Sequence, residues 1–138
     1  MKKISAIALL ALGSLVSVGS ASAQDHAIRA TVPFDFAVGS KVLPAGAYTI
    51  EPTSADSVLI WNSEKHISVI SHAYAGDKES ITSKLVFNKY GDQYFLREIL
   101  ASSINVNLEL PTSKLEKRVR SSPVARLNGG EQVLVALE

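Results

Sequence analysis

From Ile28 to Val38 every second residue is apolar: Ile28, Ala30, Val32, Phe34, Phe36 and Val38, with Arg29, Thr31, Pro33 and Asp35 between them. A period of two is the signature of a strand with one face in a core. The spacing therefore predicts a strand over this stretch, with Phe34 and Phe36 buried. Pro33 has no N–H to give to a ladder, so the strand lies at an edge or is bulged there.

Short stretches of the same kind recur, separated by turn chemistry. Leu43-Pro44-Ala45-Gly46 reads as a tight turn, in which proline presets φ and glycine is free to take φ > 0. Ala47 to Glu51 follows as a strand with Tyr48 and Ile50 on one face. Val58-Leu59-Ile60-Trp61 is a continuous apolar run, which predicts a strand buried on both faces. Asn62 to Lys65 is a hairpin connection, after which Ile67, Val69, Ser71 and Ala73 alternate with His66, Ser68, Ile70 and His72. Gly76 to Ser80 is a polar loop. Lys84 to Tyr90 and Gln93 to Leu100 flank Gly91-Asp92 and form the clearest hairpin in the chain. Ile104 to Leu110 alternates again.

One short helix is expected near residues 113–121. Ser113 with Glu116 three residues on fits a capping box, and Leu115 and Val119 share one face. Pro123 is expected to end it. Asn128-Gly129-Gly130 is a turn, and Val133 to Leu137 is a last apolar strand. About eight short strands at near-regular spacing predict a mostly β fold: a single-domain antiparallel β-sandwich or small barrel with one short helix.

Residues 1–23 read as an address. Lys2 and Lys3 form a basic start, Ile4 to Val18 is apolar or small, and Ala21-Ser22-Ala23 is a small-x-small cleavage site. That is the layout of a secretory signal peptide, which leaves 24–138 as the mature domain, periplasmic or secreted. A domain of this size folds by burial without staples. The absence of cysteine removes thiol catalysis, thiolate metal sites and a lipoprotein anchor. The net charge is +1, and cleavage of Lys2 and Lys3 lowers it by two, to about −1. Such a balance does not announce a nucleic-acid partner. No apolar run in the mature chain reaches the ~18 residues of a transmembrane segment.

The chemistry-bearing residues form no constellation. His26 lies near the mature N-terminus, and His66 and His72 are separated along one strand by about 20 Å, too far to share a metal. There is no G-x-S-x-G elbow, and Gly129-Gly130 lacks the Lys-Ser/Thr of a phosphate loop. Asp92 and Glu98 carry no mark that raises them above Glu51 or Glu109 as a glycosidase pair. No catalytic, cofactor-binding or metal-binding residue is assigned, and no enzyme activity is expected. Tyr90, Tyr94 and Phe95 read as hairpin-stabilising aromatics before they read as a ligand platform. Asp35 reads as an acceptor of backbone hydrogen bonds, and Pro33 as an edge blunter. Lys114, Lys117, Arg118, Arg120 and Arg126, with Glu116 the only acid between them, could lie on an anionic surface such as lipid head groups or acidic polysaccharide, but read first as a solvated helix face favourable to the helix dipole. One short turn buries too little apolar area to hold a membrane by itself.

Five stretches in order carry a resemblance: Val32-Pro33-Phe34-Asp35-Phe36; Leu43-Pro44-Ala45-Gly46 with Tyr48; Leu85-Val86-Phe87; Tyr90-Gly91-Asp92-Gln93-Tyr94-Phe95-Leu96; and Leu110-Pro111-x-Ser113-x-x-Glu116. Set after a signal peptide, this series resembles a family of small exported bacterial β-rich proteins with no assigned function, over most of residues 28–120. That family often carries an aromatic near Leu100, where this chain is aliphatic. The resemblance implies an envelope or secreted location and supplies no activity, cofactor or site residue.

The expectation is then a non-enzymatic exported domain that binds an envelope protein or glycan. The alternative is a carrier with a small apolar ligand inside a barrel, and a hydrolase is the third reading. Strand edges near Pro33 or at Val133–Leu137 would allow β-augmentation, including homo-oligomers.

Overall fold

The computed structural model describes residues 26–77 and 81–138. The expected signal peptide and residues 78–80 of the expected 76–80 loop lie outside the described residues. The strands are β1 (Ile28–Val32), β2 (Phe36–Val38), β3 (Lys41–Leu43), β4 (Gly46–Ser54), β5 (Ser57–Asn62), β6 (Ile67–His72), β7 (Tyr74–Ala75), β8 (Lys84–Tyr90), β9 (Gln93–Ala101), β10 (Val106–Glu109) and β11 (Glu131–Ala136). Two helices, α1 (Lys114–Arg120) and α2 (Pro123–Asn128), lie between β10 and β11.

The fold is mostly β, as the periodicity predicts. One sheet has four strands in the order β1-β4-β5-β6, all antiparallel. The other has seven. Its path is β11-β8-β9-β10-β7, and β2 joins the flank of β9 through a parallel bridge at Ala37 and Phe95, with β3 paired to β2. The sheets curl toward each other and are tied at both sides. Lys41 Nζ on β3 donates to the Ser68 carbonyl on β6 at 2.9 Å. On the far side the Glu138 N–H donates to the Arg29 carbonyl at 2.9 Å, and Thr31 Oγ1 donates to Glu138 Oε1 at 2.7 Å.

Between the sheets lies one core. Ile28, Ala30 and Val32 of β1, Tyr48 and Ile50 of β4, and Val58 and Ile60 of β5 meet Leu85 and Phe87 of β8 and Leu96 and Ile99 of β9. Phe36, Tyr48 and Phe87 interlock edge to face at its centre, with ring centroids 5.1 and 5.4 Å apart. Such pairs add to the burial of the rings themselves. A second, smaller cluster lies outside the seven-stranded sheet, where Ala37, Tyr90 and Phe95 are covered by Leu115, Val119 and Ala125 of the helices.

Several local expectations are corrected. The strand over Ile28–Val38 is two strands in two sheets, broken at Pro33-Phe34-Asp35. Pro33 withholds a ladder donor there, and Asp35 Oδ1 turns aside to accept the Ala45 N–H at 2.9 Å. Phe34 falls at the crossing and is half-buried, while Phe36 is core. The Val58–Trp61 run is not buried on both faces: Val58 and Ile60 are buried, but Leu59 and Trp61 are half-buried on the outer face. The first helix ends ahead of Pro123 as expected, but Pro123 also begins a second helix that the sequence pattern did not predict. It sits in the first turn of α2, where a missing N–H costs nothing, and Ser122 Oγ caps that helix by accepting the Ala125 N–H at 3.3 Å. The strand expected from Ile104 starts at Val106, because Ser102–Ile104 closes a 3-10 turn ended by left-handed Asn105. The last strand is Glu131–Ala136. With the first strand split and the short β3 and β7 added, the described residues hold eleven strands where about eight were expected.

Candidate functional site

The motif residues come together in pairs, and the fold uses most of their polar atoms. Asp35 of the first motif holds the second through the Ala45 N–H. Tyr48 Oη donates to the Pro44 carbonyl at 2.5 Å, and Lys65 Nζ to the Ala45 carbonyl at 2.8 Å. Gly46, at φ 156°, is required here: a Cβ would lie 2.8 Å from Asn62 Nδ2. Burial holds the Tyr48 phenol above its ordinary value, with the neighbouring Asn62 side chain opposing and the Asp35 charge adding a smaller push.

The hairpin motif and the Ser-x-x-Glu motif meet in the same way. Ser113 Oγ accepts the Glu116 N–H at 3.0 Å, the N-terminal half of the expected capping box. The Glu116 side chain, 3% exposed, accepts from Asn88 Nδ2 at 3.1 Å and Tyr90 Oη at 3.4 Å. Burial raises the Tyr90 phenol, the Glu116 charge adds to that rise, and Arg120 opposes it. Arg97 Nη1 donates to the Leu110 carbonyl at 2.6 Å and to Thr112 Oγ1 at 3.1 Å, anchoring the approach to α1.

The residues weighed for chemistry are dispersed. His26 is exposed ahead of β1, His66 sits in the β5–β6 turn and His72 ends β6. Asp92 is at the β8–β9 turn and Glu98 on β9 opposite Glu109, while Glu51 is on β4 in the other sheet. The aromatic trio also separates. Tyr94 stacks on Phe34 at 3.8 Å beneath Lys89, whereas Tyr90 and Phe95 lie on the opposite face under the helices.

What remains available is surface. The four-stranded sheet has no helix packed on it among the described residues, and its outer face carries two adjacent cross-strand rows. One is Glu51–Leu59–Ile70 and the other Thr49–Trp61–Ser68. Leu59 and Trp61 are half-buried, and Ile70 is 69% exposed. At the Trp61 end an open groove of about 240 Å³ is lined by Arg29, Thr49, Trp61, Ser63 and Glu138. Periodicity missed this stripe because a continuous apolar run looks the same whether its second face is covered or bare. Exposed Ile70 within an alternating strand was the signal that pointed to it. β11 ends the other sheet with β8 on one side only, and its Leu134 is exposed.

No family model, no curated protein and no solved structure matches the chain.

Proposed function

We propose that this chain is an exported, periplasmic or secreted β-domain that acts by binding rather than catalysis, and that it recognises an envelope protein through the outer face of β4, β5 and β6. The observation that carries the reading is the Leu59–Trp61–Ile70 stripe on a sheet face left without a covering layer. Contiguous exposed apolar surface rimmed by polar groups is the usual mark of an interaction site, and tryptophan is enriched where binding energy concentrates. Arg29, Thr49, Glu51, Ser68 and His72 supply such a rim. The interlocked rings of Phe36, Tyr48 and Phe87 fill the centre that a carrier would keep open, so the binding reading is favoured over the carrier. The family resemblance agrees on location.

Site-specific photo-crosslinking in expressing cells tests this. A reactive residue placed at Trp61 or Ile70 should give a discrete protein adduct that a probe at Ser121, just past the C-terminal end of α1, does not. Adducts absent from Trp61 and Ile70, or a native mass spectrum with a reproducible small apolar molecule bound to the monomer, would turn the reading toward the carrier.

A further inference from the structure

The helical layer on the opposite side of the molecule has its own unexplained surface. Between Pro111 and Gly130 the charged residues are Lys114, Glu116, Lys117, Arg118, Arg120 and Arg126. The five basic ones are exposed. The one acid, Glu116, is turned inward against Asn88 and Tyr90. Folding therefore converts a segment of mixed charge into an outer face whose exposed charges are all positive. On α1 the buried side is Leu115, Glu116 and Val119, and Lys114, Lys117 and Arg118 form the i, i+3, i+4 row on the outside.

The second helix, which sequence reading did not expect, changes what this face can bind. Ala125 is the α2 residue buried against the sheet. Val124, beside the β8–β9 turn at Gly91, and Leu127, three residues on along α2, are 58% and 85% exposed. An acidic polysaccharide or a free polyanion has use for the five cations but none for two bare aliphatic side chains. An anionic bilayer surface has use for both. Its headgroups attract Lys and Arg, and its acyl boundary takes up Leu and Val.

We infer that the α1–α2 layer is a peripheral docking face for an anionic lipid surface, with Lys114, Lys117, Arg118 and Arg126 at the headgroups and Leu127 and Val124 entering the interface. The bare face of the four-stranded sheet then points away from the membrane, because the two faces are the outer surfaces of the two packed sheets.

The test is vesicle co-sedimentation, using the protein as the expressing cell delivers it with its N-terminus read by mass spectrometry. Binding is expected to phosphatidylglycerol/phosphatidylcholine vesicles and not to phosphatidylcholine alone, and to weaken with salt. Each exposed basic residue removed should cost about fivefold in affinity. The K117E/R118E pair and R126E, one set on each helix, keep the test open if either set disturbs folding. In a W61F background, L127W should show a blue shift of its emission on phosphatidylglycerol vesicles. Three results would overturn the proposal: equal binding to both vesicle types, charge-reversed variants that bind as tightly as the parent, or no blue shift from L127W. Binding to a soluble acidic polysaccharide that matches the vesicle affinity and ignores Leu127→Ser would overturn it in favour of a polyanion partner.

Discussion

The two outer faces of this sandwich start from similar material and end differently. On the seven-stranded sheet Tyr90, Phe95 and Ala37 are sealed beneath Leu115, Val119 and Ala125. On the four-stranded sheet Leu59, Trp61 and Ile70 have no second layer among the described residues. The difference lies in the chain that follows each sheet's strands. After β10 it supplies a capped helix with an apolar side and a carboxylate that reaches back to Asn88 and Tyr90. After β6 it passes through buried Ala73 into β7 and the other sheet, and leaves the face behind it bare. An apolar face that is covered contributes to stability, whereas one left uncovered is available to a partner.

Paired substitutions on the two faces sharpen this contrast. Phe95→Ala, on the covered face, should lower the free energy of unfolding by about 3–5 kcal/mol, measured by urea titration. A cost under ~1 kcal/mol would mean that the helices do not seal that face in solution. Glu116→Ala should cost about 1–3 kcal/mol, since it strands the Asn88 amide and the Tyr90 hydroxyl under α1. Ser113→Ala removes only the cap and should cost about 1 kcal/mol.

Alkaline pH should act on the buried tyrosines and leave the bare face unaffected. Tyr48 and Tyr90 have folded pKa values raised above the ordinary 10.0, mainly by burial. A raised folded pKa means the unfolded chain loses its protons first, so the stability they contribute is full below pH 10 and declines as pH rises past it. Tyr90→Phe and Tyr48→Phe should each flatten part of that decline, and an unchanged slope in both would break the assignment. Ile70→Ser, on the bare face, should change stability by less than about 0.5 kcal/mol while abolishing the crosslink expected at Trp61. A large loss of stability would show that Ile70 is covered in solution and would move the recognition surface elsewhere.

The hairpin around Gly91-Asp92 was fully legible because turn residues and β-branched arms are local signals, and Gly91 takes the positive φ that the turn demands. The Ser113 cap was legible for the same reason. The break at Pro33 was legible only as an interruption. That the chain there leaves one sheet for another depends on Ala45, ten residues away, presenting its N–H to Asp35. Pro123 was legible as the end of α1 but not as the start of α2, because proline stops one helix and starts the next with equal ease, and the second helix depends on the Ser122 cap and on Ala125 finding a place against the sheet.

Alternation, turn residues and caps act over a few neighbours, and through them the sequence by itself determined a mostly β chain, the position of most strands and the start of α1. It also determined which residues of each alternating strand share a face. Which of those faces would be covered was decided only by the tertiary structure. Leu59 and Trp61 lie in an apolar run no less suited to burial than the one holding Phe95. Their exposure follows from where distant helices settle, and those helices settle where Glu116 and Leu115 find Asn88, Tyr90 and Phe95. Burial of that kind depends on two segments meeting, and a period of two describes only one of them.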